Sequence, residues 1–87
     1  MKTLIQVTES DMAHGERLSP CGCPIALAAS RVFGATARVE VTFILVGGLK
    51  IRLPEEASRW IERFDDAKAT PLISFEVEAA VLERSVA

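Results

Sequence analysis

Tyrosine is missing from this chain, tryptophan and histidine occur once each, and phenylalanine occurs four times. So few rings cannot build the row of platforms on which a single-stranded nucleic acid stacks its bases. An excess of positive charge is missing too, since 10 Lys and Arg stand against 12 Asp and Glu, for a net charge of -2. Without clustered cations to displace phosphate counterions, no nucleic acid polymer is expected as a partner. No apolar run reaches the roughly 20 residues of a membrane span, so no membrane association is expected. Met1 to Val7 is too short and too polar for the core of a secretory signal. The only two cysteines, Cys21 and Cys23, are one residue apart. They cannot staple distant parts of a fold, so they read as reduced thiols and point to a cytoplasmic location.

What remains is 49% hydrophobic and 25% charged over 87 residues. Those proportions describe one folded domain, residues 1–87, with a core small enough that further burial in a homo-oligomer would help it. No internal repeat, linker or low-complexity segment divides it.

The segment from His14 to Gly34 organises the rest. Proline is suited to the first position of a helix, where its fixed φ is already helical and its missing N–H would have had no partner. Pro24 therefore marks a helix start and makes Cys23 its N-cap. Cysteine is a poor cap beside Ser, Thr, Asp or Asn, so a thiol there has one of two explanations. Either the amides and partial positive charge of the helix start favour a thiolate or a bound anion, or the thiol is simply buried as a small apolar group. Ile25, Leu27, Ala28, Ala29, Val32 and Phe33 leave only Ser30 and Arg31 polar, the mark of a buried central helix. Gly34 stands where a left-handed residue would end it.

Before this helix, Lys2 to Val7 reads as a strand. Thr8 follows as an N-cap with Asp11 in the reciprocal capping position, and a short helical turn through Met12 to His14 stops at Gly15. After it, Ala37 to Val46 reads as one strand with Val39, Val41, Phe43 and Leu45 on one face. Gly47 and Gly48 mark a hairpin into Leu49 to Leu53. A three-residue loop, Val46 to Gly48, pairs Leu45 with Leu49 and Phe43 with Ile51, and is preferred to a two-residue loop that would set Phe43 beside Arg52. Pro54 opens a second long helix, on which Ala57, Trp60, Ile61 and Phe64 form one apolar stripe and Glu55 and Arg59 an i, i+4 pair. Asp65 and Asp66 end it as a solvated face. Ile73, Phe75 and Val77 alternate in a last strand, and residues 79–87 form a final helix or a frayed tail.

The order is βαββαβ. It predicts an α+β fold with one four-stranded antiparallel sheet and two main helices on one face, a ferredoxin-like plait. The open face would carry Arg38, Glu40, Thr42, Lys50, Arg52, Ser74, Glu76 and Glu78, with Ile44 and Leu4 within reach of it.

The chemistry-bearing residues gather before the central helix. His14, Arg17, Ser19, Cys21 and Cys23, with the free amides of Ile25 and Ala26, could converge on a small anionic or nucleotide-like ligand. His14, Cys21 and Cys23 as zinc ligands lack a paired C-x-x-C and a fourth donor. Cys23 with His14 as a thiol enzyme lacks a third, orienting residue. No cofactor and no metal are expected.

At these residues a resemblance appears. Asp11 to Ala28, with its His14-Gly15 and Cys23-Pro24-Ile25-Ala26-Leu27-Ala28, together with Leu53 to Ala57, Trp60 to Asp65 and Pro71 to Phe75, resembles a group of small bacteriophage and bacterial proteins that share a CPVALAL-like helix. That group has no settled activity, so the resemblance implies an origin. By analogy with other small phage proteins, it implies a non-enzymatic accessory role, such as sequestering a nucleotide immune signal of the host. Three functions follow from the sequence: a ligand-binding module, an interaction protein or inhibitor that occludes a partner with its sheet face or edge, and a thiol or metal enzyme.

Overall fold

The computed structural model describes residues 2–78. Within them the elements run β1 Lys2–Gln6, α1 Glu9–His14, α2 Pro24–Phe33, β2 Arg38–Val39, β3 Phe43–Val46, β4 Leu49–Arg52, α3 Glu55–Asp65 and β5 Ser74–Glu78. The fold is α+β. The strands are hydrogen-bonded as two antiparallel sheets, β1-β5 and β2-β3-β4, in place of the single four-stranded sheet expected. In the expected plait β1 would lie between the last strand and the hairpin. Here β5 is paired with β1 and has β4 beside it, with Cα atoms within 8 Å but no ladder between them. The tail beyond Glu78 lies outside the described residues.

The additional strand arises from a tight turn inside the segment read as one strand. The Glu40 amide donates to the Phe43 carbonyl at 2.8 Å, so the chain reverses at Val41 and Thr42 and Val39 faces Ile44. The reversal shifts the phase of the alternation. Ile44 and Val46 turn inward, while Phe43 and Leu45 lie on the outer face. The hairpin loop is accordingly the two-residue one: Gly47 and Gly48 both have positive φ, 53° and 80°, as a type I′ turn requires, and Val46 faces Leu49. Phe43 therefore stands opposite Arg52, and Val39, Ile44 and Ile51 form the inner row. Ile44 is fully buried, contrary to its expected reach to the open face.

The core lies between the inner sheet faces and α2 and α3, and is closed by Ile5, Val7, Ile25, Ala28, Ile44, Ile51, Trp60 and Phe75. Burying one such large side chain contributes roughly 1.5–3 kcal/mol. The alanines of α2 let it approach the strands closely. Ser30 joins the two layers by donating to the Ala26 carbonyl at 2.7 Å and accepting from the Ala37 amide at 2.8 Å. Gly34 ends α2 in the left-handed conformation, φ 72°. The α3 end is a Schellman motif, with Lys68 N–H donating to the Arg63 carbonyl and Ala67 N–H to that of Phe64; the left-handed residue is Ala67, φ 61°. Outside β2, the Val39 amide donates to the Pro20 carbonyl at 2.7 Å, so the loop before α2 lies along that sheet edge.

Candidate functional site

α1 is capped as the sequence suggested. Thr8 Oγ1 accepts from the Asp11 amide while the Asp11 carboxylate accepts from the Thr8 amide. The same carboxylate takes a bidentate pair from Arg31 of α2, at 2.8 and 3.0 Å, and Arg31 also donates to the Gln6 carbonyl. Burial acts to raise the Asp11 pKa, but the Arg31 guanidinium and the Thr8 hydrogen bonds outweigh it and hold the group below its ordinary value. This cluster ties β1, α1 and α2 together.

Gly15 then lies against the Pro24 ring, and the loop closes on itself through the Glu16 amide to the Gly22 carbonyl and the Cys23 amide to the Ser19 carbonyl. His14 is exposed and its Nδ1 lies 2.9 Å from the Ser10 carbonyl. The Arg17 guanidinium sits over the Phe64 ring, 6.0 Å from its centroid, and Phe64 stacks on Trp60 at 5.4 Å. Leu18 adopts a left-handed conformation and donates its amide to Asp65 at 2.9 Å. Asp65, read from sequence as part of a solvated helix end, is thus the anchor of this loop. Nothing in the residue spacing announces a pair so far apart in the chain.

Cys23 caps α2. Its sulfur accepts from the Ala26 amide at 3.4 Å, and the residue is buried. Burial pushes its pKa up; the amides of Ala26 and Ile25 oppose the rise, Asp65 adds to it, and the group stays a neutral thiol at pH 7. Ile25 and Ala26 are fully buried beneath it. Cys21 is exposed. Of the seven ligand residues named from sequence, the structure joins Cys23 to Ala26 and leads His14 and Arg17 to separate partners on α1 and α3. Ser19 serves the loop through its carbonyl. Among the described residues no group of three His, Cys, Asp or Glu side chains is placed to hold a metal ion.

A different cluster lies on the outer face of the β2-β3-β4 sheet. Register places Arg38, Leu45 and Lys50 in one row and Phe43 and Arg52 in the next. Thr42, Phe43, Lys50 and Arg52 line an open hollow of about 500 Å³. The Lys50 ammonium stands 4.8 Å above the Phe43 ring, a favourable cation–π arrangement. Glu40 is held at 2.6 Å by Arg38, which leaves Lys50 and Arg52 as the charges over the hollow. Sequence reasoning put Lys50 and Arg52 on the open face but hid Phe43, because the turn at Val41 was not recognised. The signal was present in the run Phe43 to Val46, four apolar residues with no period of their own.

No family model, no curated protein and no solved structure matches this chain. Among the described residues no helix is long and apolar enough to cross a membrane.

Proposed function

We propose that this protein is a non-enzymatic binding module for a small anionic ligand, and that the ligand sits on the outer face of the β2-β3-β4 sheet. The observation that carries the reading is the pairing of Lys50 and Arg52 around one hollow, while Glu40, just past β2, is held by Arg38. Two cations on rigid neighbouring strand positions can meet an anion without first being ordered, and the arginine offers a planar fork to phosphate or carboxylate. The loop before α2 supports the reading less well, since the Ala26 amide is engaged by Cys23 and Arg17 lies on Phe64. A small protein that holds such a ligand without transforming it lowers the ligand's free concentration, which fits the sequestering role implied by the resemblance.

Titration calorimetry with pyrophosphate tests this. Saturable binding that weakens with salt and drops about tenfold in Arg52→Gln or Lys50→Gln, but not in Arg17→Gln, is the expected result. No binding, or equal loss from Arg17→Gln, would return the site to the loop or remove it.

A second reading, occlusion of a protein partner, is favoured by Leu18. Its side chain is 79% exposed on a backbone pinned to Asp65, so a large apolar group is presented in a fixed place.

A further inference from the structure

The hollow on the sheet holds an aromatic ring as well as charge, and the ring is poorly explained by anion binding alone. A strand position facing solvent between two cations would serve an inorganic anion better with Ser or Thr, as Thr42 does beside it. Phe43 is half-buried there and does not belong to the closed core. Its ring partner is the Lys50 ammonium, at 4.8 Å, carried on four flexible carbons.

Resting on the anion-binding reading above, we infer that the ligand is a mononucleotide-like aromatic phosphate, whose base lies on Phe43 in the place now taken by the Lys50 ammonium. Lys50 then turns to the phosphate beside Arg52. The exchange is conservative: the ring keeps a partner on its face, and the ammonium trades a cation–π contact for an ion pair. Arg52, directly opposite Phe43 in the ladder, lies within side-chain reach of both the base edge and the phosphate. A hollow of about 500 Å³ suits one nucleotide, being within the usual range for small-ligand pockets. One ring and two cations give no register for a strand of nucleotides, in keeping with the acidic composition.

The test compares AMP with ribose 5-phosphate, which carries the same phosphate and sugar without the base. AMP is expected to bind at least about tenfold more tightly, the usual worth of one base on one ring. Phe43→Leu should erase that advantage while leaving ribose 5-phosphate binding unchanged, and Phe43→Tyr should restore it, which separates loss of the ring from loss of the fold. The Lys50 side-chain resonances, shifted upfield by the Phe43 ring in the free protein, should move toward ordinary lysine values on adding AMP. Equal binding of AMP and ribose 5-phosphate, or a Lys50 signal that keeps its ring shift when AMP is bound, overturns the inference and leaves anion binding standing. If neither AMP nor pyrophosphate binds, both readings fall.

Discussion

Gly15 and Pro24 meet backbone against ring: a β-carbon on Gly15 would stand 2.5 Å from Pro24 Cγ and 2.9 Å from the Asp11 carbonyl oxygen. The Gly15 backbone itself is ordinary, with φ -74° and ψ 151°, a conformation alanine adopts freely. The glycine is required by space and not by torsion. Gly15→Ala should therefore lower stability by about 1–3 kcal/mol through overpacking, seen as a fall in Tm of about 4–8 °C per kcal/mol. Were the contact slack, alanine would instead raise Tm slightly by restricting the unfolded chain.

The Asp11–Arg31 pair makes stability depend on acid. The folded pKa of Asp11 lies below its ordinary value of 3.8, so as pH falls the unfolded chain takes up the proton first. The stabilisation is complete above the ordinary value and drains away as pH falls through the lower, folded one. Asp11→Asn should cost about 1–3 kcal/mol at pH 7 by urea denaturation. The gap between variant and parent should narrow as pH drops below 3.8.

Ala67 closes α3 in the left-handed conformation. That conformation costs a non-glycine residue about 1–2 kcal/mol, while glycine there would release about 0.4–1 kcal/mol of extra freedom to the unfolded chain. Ala67→Gly should be a net gain, roughly 0.5–1 kcal/mol. Ala57→Gly, inside the same helix and fully buried, should lose about 1 kcal/mol or more. Thermal melts of the two variants must therefore move in opposite directions.

The hairpin register can be read from a pair of truncations. Ile44 is fully buried and Phe43 faces out. Ile44→Ala should cost about 2–5 kcal/mol, and Phe43→Ala on the order of 1 kcal/mol. A three-residue loop would reverse that order, because it turns Phe43 into the core.

The two thiols should behave differently despite lying one residue apart. Cys21 is exposed; Cys23 is buried, protonated and bonded to the Ala26 amide. A thiol-specific reagent at pH 7 should modify one equivalent quickly, lost in Cys21→Ser, and a second only on unfolding. Rapid modification of two equivalents in the folded protein would contradict the burial of Cys23.

Local chemistry was the legible part of this chain. Thr8 with Asp11, Cys23 with Pro24, Gly34 after α2 and Glu55 with Arg59 act within one or two turns of helix, and each stands as its spacing implied. The apolar stripe of α3 was legible for the same reason. The sheet was not. Val41 and Thr42 are β-branched and read as strand interior, yet they form the bend between β2 and β3, held by the Glu40 amide and by Ser58 Oγ donating to the Val41 carbonyl. A single misplaced reversal changed the phase of Phe43 to Val46 and, with it, the composition of the outer face. The loop before α2 was also beyond reach, because Arg17 on Phe64 and Leu18 on Asp65 join residues 47 positions apart. His14 and Arg17 in that loop looked available to a ligand when the fold engages both, His14 with the Ser10 carbonyl and Arg17 with the Phe64 ring.

Pro20 gives the edge of β2 a quiet kind of protection. By accepting from Val39 it occupies a donor that an unpaired strand edge would hold out to a neighbouring molecule. Proline has no N–H to present in return, so the hydrogen-bonding grammar of the sheet stops there. A strand approaching β2 from that side would meet a proline carbonyl already in use, so this edge is closed to strand-by-strand extension.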